Sequence, residues 1–136
     1  MIHNSGRLLK IASNQMVREF DQFAEQYDLT SMQMSVIDYL NTNDQKDIFQ
    51  KDIENEFQIQ RSTTTVLLQR MEKKDLIFRE ASAQDARQRF VRLTPHAMTI
   101  SKKVSEYMIL QQQKLEEVFS EEEIDIFEKV LQYYIK

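Results

Sequence analysis

Between Gln60 and Thr94 the chain reads QRSTTTVLLQRMEKKDLIFREASAQDARQRFVRLT. Small hydroxyls and an arginine stand at the front of a helix-periodic stretch, and Arg87 and Arg89 follow on a polar loop. Side chains of the first kind suit the base edges of a duplex, and loop arginines suit its phosphates. From Gln60 to Arg92 eight basic residues (Arg61, Arg70, Lys73, Lys74, Arg79, Arg87, Arg89, Arg92) face four acidic ones (Glu72, Asp75, Glu80, Asp85). That net +4 leaves −8 for the rest of a chain whose total is −4. A positive footprint on an acidic body steers binding toward phosphate. A solvated helix face produces the same count, so charge alone leaves both readings open.

Other chemistries lack their residues. Without cysteine there is no disulfide, no thiolate metal site and no thiol redox sensor. His3 and His96 lie 93 positions apart with no ligand spacing, so no metal and no cofactor is expected, and His96 reads as a polar helix-start residue. No glycine-rich phosphate loop or nucleophile elbow occurs, and Glu121 to Glu123 are explained by a helix dipole, so no enzyme is expected. No stretch approaches the roughly 20 apolar residues that span a bilayer, and MIHNSGRLLK lacks a secretory apolar core. The expectation is one cytoplasmic domain of 136 residues without membrane contact.

Helices must position the basic segment. The chain has one glycine and one proline, and its apolar spacing is overwhelmingly three and four. A first helix is predicted from about Asn4 to Tyr27. Thr30 to Gln33 is a capping box opening a second, which ends near Asn41. A short third covers about Gln50 to Phe57, and a fourth about Arg61 to Lys74, with Leu67, Leu68 and Met71 inward. Leu76 to Arg79 and Arg89 to Leu93 form a two-stranded ribbon around ASAQDARQ. Thr94 and Pro95 start a long fifth helix as N-cap and first residue, and Ser120 to Glu123 is the capping box of a sixth.

The fold is therefore mainly α with a small β-ribbon, a winged helix-turn-helix with further helices at both ends. With that order, the residues resemble the MarR family of bacterial transcriptional regulators. STTTVLLQRMEKKDLI, from Ser62 to Ile77, is similar to that family's recognition helix and exit. Asp85-Ala86-Arg87, followed by Val91-Arg92-Leu93-Thr94, matches its D-x-R and V-x-L-T pattern. Gln58, Asp75 and Ala97 stand where the family usually carries glycine. Asp75 can adopt the left-handed conformation at moderate cost. Val66 replaces the usual polar residue of the recognition helix, where contact with a thymine methyl is an alternative to hydrogen-bonded readout.

The resemblance implies a sequence-specific regulator that binds duplex DNA. Carried over by position, Gln60, Arg61, Ser62, Thr63, Thr65, Gln69 and Arg70 face the major groove, with 62, 65 and 69 on one stripe. Arg87 and Arg89 reach the minor groove or its phosphates, and Asp85 supports the wing by pairing with Arg87 or with Arg89. A plain solvated hairpin is the alternative for the wing. Lys46, Gln50 and Lys51 are candidate phosphate contacts.

The resemblance also implies a homodimer. Residues 30–94 would form the DNA-binding lobe, and 1–28 with 95–136 the dimerisation helices. Interface candidates are Ile2, Leu8, Ile11, Val118, Phe119, Ile124, Phe127, Leu131, Tyr134 and Ile135. A lipophilic or aromatic effector would be lined by Met16, Phe20, Met34, Ile37, Tyr39 and Tyr107, residues that serve equally as core. Repression relieved by such a ligand is the expected action. The competing reading is a winged-helix module that binds protein and not DNA.

Overall fold

The computed structural model describes residues 2–85 and 87–135. Among them the order is α1 (Ser5–Glu25), α2 (Ser31–Thr42), α3 (Gln50–Phe57), α4 (Arg61–Lys73), β1 (Ile77–Ala81), β2 (Arg89–Leu93), α5 (Pro95–Val118) and α6 (Glu121–Tyr134). Two compact units emerge, residues 1–101 and residues 102–136, with α5 running through the division.

Helix starts follow local chemistry. In the Thr30 capping box Gln33 donates its N–H to Thr30 Oγ1 (3.2 Å) and Thr30 donates its N–H to Gln33 Oε1 (3.1 Å). The Ser31 N–H is taken by Asp21 Oδ1 at 2.8 Å, so a carboxylate of α1 also holds the start of α2. Ser120 and Glu123 form the second reciprocal pair, at 3.1 and 3.0 Å. Thr94 Oγ1 accepts the Ala97 N–H at 3.1 Å and donates to the Asp75 carbonyl at 2.6 Å. One hydroxyl thus caps α5 and ties it to the turn after α4.

Helix ends are less ordinary. Asp28, Gln58 and Asp75 have φ of 56°, 52° and 57°, the left-handed region that favours glycine. The residue after each donates its N–H five positions back: Leu29 to Ala24, Ile59 to Glu54 and Leu76 to Met71, at 3.0, 3.1 and 2.9 Å. This closure satisfies helix-end carbonyls. Gln58 adds a bond from Nε2 to the Asn55 carbonyl (2.7 Å), which compensates part of its backbone strain. The one glycine, Gly6, lies inside α1 with open space around it and meets none of these needs.

The core of the first unit is built where α2, α3, α4 and the ribbon meet, around Met34, Ile37, Ile53, Leu68, Met71 and Val91, all essentially without solvent exposure. In α4 the inward seam is Thr64, Leu68 and Met71, a spacing of four and three, whereas Leu67 is only half-buried. Leu67 was expected inward. Thr64 takes the buried place because its hydroxyl is satisfied internally, donating to the Gln60 carbonyl at 2.9 Å.

The strands pair antiparallel from Ile77↔Leu93 to Ala81↔Arg89. The first runs one residue later and two further than the predicted Leu76 to Arg79. Leu76 spends its N–H on closing α4, while Glu80 and Ala81 find partners across the ribbon. Phe90 packs on Phe49 with ring centroids 4.8 Å apart, and the Val91 N–H is taken by the Ile48 carbonyl at 2.7 Å. These contacts cover β2 on two sides, which breaks the inside–outside alternation of an exposed ribbon.

In the second unit Leu115, Phe119, Ile124, Ile126 and Phe127 line a 420 Å³ cleft together with Glu123. No helix among the described residues is long and apolar enough to cross a membrane.

Candidate functional site

Burying Thr64, Leu68 and Met71 turns the opposite stripe of α4 outward. Arg61, Ser62, Thr63, Val66, Gln69 and Arg70 are exposed and Thr65 is half-exposed. This stripe begins at the N-terminus of α4, where free N–H groups add a partial positive charge. The wing lies in the same unit. Its tip is shaped by Asp85, whose Oδ1 accepts the Arg87 N–H at 3.0 Å and holds the Arg87 guanidinium at 3.3 Å. Of the two pairings left open for Asp85, this is the one formed. Ala86, the middle residue of the tip motif, lies outside the described residues. The Arg87 side chain remains 92% exposed.

A 580 Å³ groove gathers these parts. It is lined by Phe49, Gln50, Lys51, Asp52 and Glu54 from the start of α3, Arg61 from α4, and Arg79, Arg87, Gln88 and Arg89 from the ribbon. Five cationic side chains face two carboxylates. Five expected site residues, Gln50, Lys51, Arg61, Arg87 and Arg89, therefore share one concavity although 39 positions separate the first from the last. Ser62, Thr63 and Arg70, with Val66, line a separate 570 Å³ depression beside Thr30, Met32 and Gln33. Lys46 lines a third, of 530 Å³, with Leu40, Phe78, Arg92 and Met98.

Geometry sorts the eight basic residues by what is left for a ligand. Arg92 binds Asp47 at 2.7 Å, Glu80 at 3.3 Å and the Lys46 carbonyl at 3.2 Å, with its guanidinium 5.0 Å from the centre of the Phe90 ring. The Asp47 hydrogen bond raises its pKa above the ordinary arginine value against the opposing effect of burial. Lys74 Nζ is bound by the Asp28 carbonyl (2.7 Å) and by Gln33 Oε1 (3.3 Å). Arg79 pairs with Glu72 at 3.3 Å and donates to Gln50 Oε1 at 3.5 Å. Arg61, Arg70, Lys73 and Arg89 hold no ion pair among the described residues, and Arg87 holds only the exposed one with Asp85.

Five groove residues, Phe49, Asp52, Glu54, Arg79 and Gln88, are not among the expected site residues. Arg79 contributes to the basic count of the sequence, and its place on the strand leading to the wing is the signal for its role. Gln88 carries none. Gln50, expected at a phosphate, has its amide engaged within the protein: Nε2 donates to Thr65 Oγ1 (2.9 Å) and Glu54 Oε2 (3.2 Å).

The other expected sets are more dispersed. Met34 and Ile37 are fully buried core residues, Phe20 is half-buried and Met16 is exposed. Tyr39 stacks edge-on against Phe57 at 5.8 Å. Its phenol pKa is pushed above 10 by burial first, then by Asp52 and Glu56. Tyr107 belongs to the second unit and is half-buried. Ile2, Leu8, Ile11, Val118, Phe119, Phe127, Tyr134 and Ile135 are exposed, Leu131 is half-buried, and Ile124 is buried within its own chain. No group of three metal-ligating side chains occurs among the described residues.

A helix presented outward by its neighbours, followed by a two-stranded wing with an arginine tip, defines a winged helix-turn-helix protein. The family model described as MarR family matches residues 27–88. The transcription regulator MarR from Oenococcus oeni PSU-1 is 47% identical, over 97% of this chain and 98% of that one, with a TM-score of 0.91. MepR from S. aureus in complex with DNA is 28% identical, over 98% and 97% of the two chains, with a TM-score of 0.86. MepR described as a regulator of the multidrug efflux pump MepA superposes at 0.67, also at 28% identity, over 98% of this chain and 97% of that one. No curated protein sequence matches the chain. The chain belongs to the MarR family of transcription regulators.

Proposed function

We propose that this protein is a sequence-specific DNA-binding regulator that acts as a homodimer and represses transcription until a small ligand releases it. The observation that carries the reading is the groove in which Lys51, Arg61, Arg87 and Arg89 converge. A recognition helix and a wing that share one cationic concavity present a duplex with base-reading and phosphate-binding groups together. The related MepR, crystallised with DNA, supports the same partner here.

In this reading α4 enters the major groove with Gln60, Arg61, Ser62, Thr63, Thr65, Gln69 and Arg70. Arg87 and Arg89 follow the backbone beside it, and Asp85 keeps the wing in shape. Exposed apolar side chains at Ile2, Leu8 and Ile11, and separately at Val118, Phe119, Phe127, Tyr134 and Ile135, support a dimer through the terminal helices. A two-fold dimer would space its recognition helices by about 34–36 Å and read a palindrome. A lipophilic effector with higher affinity for the dimer that cannot bind DNA would lower operator affinity by the ratio of its two affinities. Cytoplasmic location follows from that role.

The test is selection from random duplexes at two salt concentrations. An enriched palindrome with half-sites one turn apart and steep salt dependence is the expected outcome. Absence of enrichment at both concentrations would turn the assignment to a protein partner.

A further inference from the structure

Thr65 stands on the outward stripe of α4 with its hydroxyl oriented from two sides. Its Oγ1 donates to the Arg61 carbonyl at 2.9 Å and accepts from Gln50 Nε2 at 2.9 Å. The orientation of the Gln50 amide follows from its neighbours. Glu54 Oε2, 3.2 Å away, can only accept, and Arg79 Nη1, 3.5 Å away, can only donate. The amide NH₂ must therefore face Glu54 and Thr65, and its carbonyl must face Arg79. A threonine hydroxyl has one proton and two lone pairs. The proton is directed to the Arg61 carbonyl and one lone pair to Gln50, so one lone pair is left.

We infer that Thr65 is a specificity-determining residue which, held by Gln50 and the Arg61 carbonyl, meets DNA only as a hydrogen-bond acceptor and so selects a base with an exocyclic amine. In the major groove that chemistry is adenine N6 or cytosine N4, and it disfavours guanine and thymine, which offer acceptors at O6, N7 and O4. The inference rests on the DNA-binding reading above. It assigns Gln50 a positioning role through Thr65 and not a phosphate contact.

The experiment is the same duplex selection run with the full-length protein and with Thr65→Val, Thr65→Ser and Gln50→Met. One position per half-site is expected to prefer A or C by roughly three- to tenfold in the wild type, the range of one hydrogen bond. Thr65→Val should lose that preference and Thr65→Ser should keep it. Gln50→Met should weaken the A-or-C preference, because the hydroxyl is then held only by its bond to the Arg61 carbonyl and turns more readily. Loss of a phosphate contact made by this neutral amide would instead weaken binding to every sequence alike and leave the A-or-C preference in place. A measurement on the wild-type protein needs no variant to fold: replacing the preferred adenine by purine, or cytosine by pyrimidin-2-one, removes only the amine and should weaken binding by the same factor. An enriched site that Thr65→Val leaves unchanged, a Thr65-dependent position that prefers G or T, or indifference to removal of the amine overturns the inference while leaving the DNA reading intact. No enrichment with the wild type overturns both.

Discussion

Arg87 and Arg92 carry the same charge five positions apart, yet their removal should have opposite effects. Arg87 is 92% exposed and bound only to a partly exposed aspartate, so an incoming phosphate competes with little. Arg92 is bound to Asp47 and Glu80, leaning on Phe90. Each phosphate neutralised contributes about 0.9 to the slope of log K against log salt. With one contact in each protomer of the proposed dimer, Arg87→Ala should lower the slope by about 1.8. Between 50 and 200 mM salt the wild type would then lose about twelvefold more affinity than the variant. Arg92→Ala should leave the slope alone and instead destabilise the fold by about 1 kcal/mol, a figure kept small because both carboxylates are more than half exposed. Fluorescence anisotropy on one duplex across four salt concentrations, with urea unfolding of each variant, separates the two. Equal slopes for wild type and Arg87→Ala, or a reduced slope for Arg92→Ala, would refute the division of cations drawn from the geometry.

Three further outcomes follow from local features. Gln58→Gly should stabilise the fold by about 1 kcal/mol by relieving a left-handed glutamine, and a lower urea midpoint than wild type would refute that strain. Thr94→Ala removes both the cap of the Ala97 N–H and the bond to the Asp75 carbonyl, and should cost about 1–2 kcal/mol, measured by the same unfolding. The raised phenol pKa of Tyr39 means that its contribution is fully present below pH 10 and is lost as pH rises through the folded value. Tyr39→Phe should therefore flatten the alkaline loss of stability, and identical alkaline profiles would count against it.

Much of the architecture was legible because its signals are local. Thr30 with Gln33, Ser120 with Glu123 and Thr94 with Pro95 each span four residues or fewer, and each marks a helix start that the structure contains. The D-x-R tip and the inward Leu68 and Met71 of α4 were legible for the same reason, whereas the buried Thr64 in place of Leu67 was not. Gln58 shows where this stops. Glutamine carries no preference for positive φ, and the chain turns there because Ile53 and Leu68 must both reach the core.

By itself, then, the sequence determined the order of elements, the starts of α2, α5 and α6, the outward stripe of α4 and the charge of the segment from Gln60 to Arg92. Those properties depend on neighbours a few positions away. Tertiary structure alone decided which charges remain for a partner and which hydroxyl is oriented. Arg92 meets Asp47 across 45 positions, Arg79 meets Gln50 across 29 and Gln50 meets Thr65 across 15. Electrostatic pairing depends on distance in space, and the packing of α3, α4 and the ribbon sets that distance.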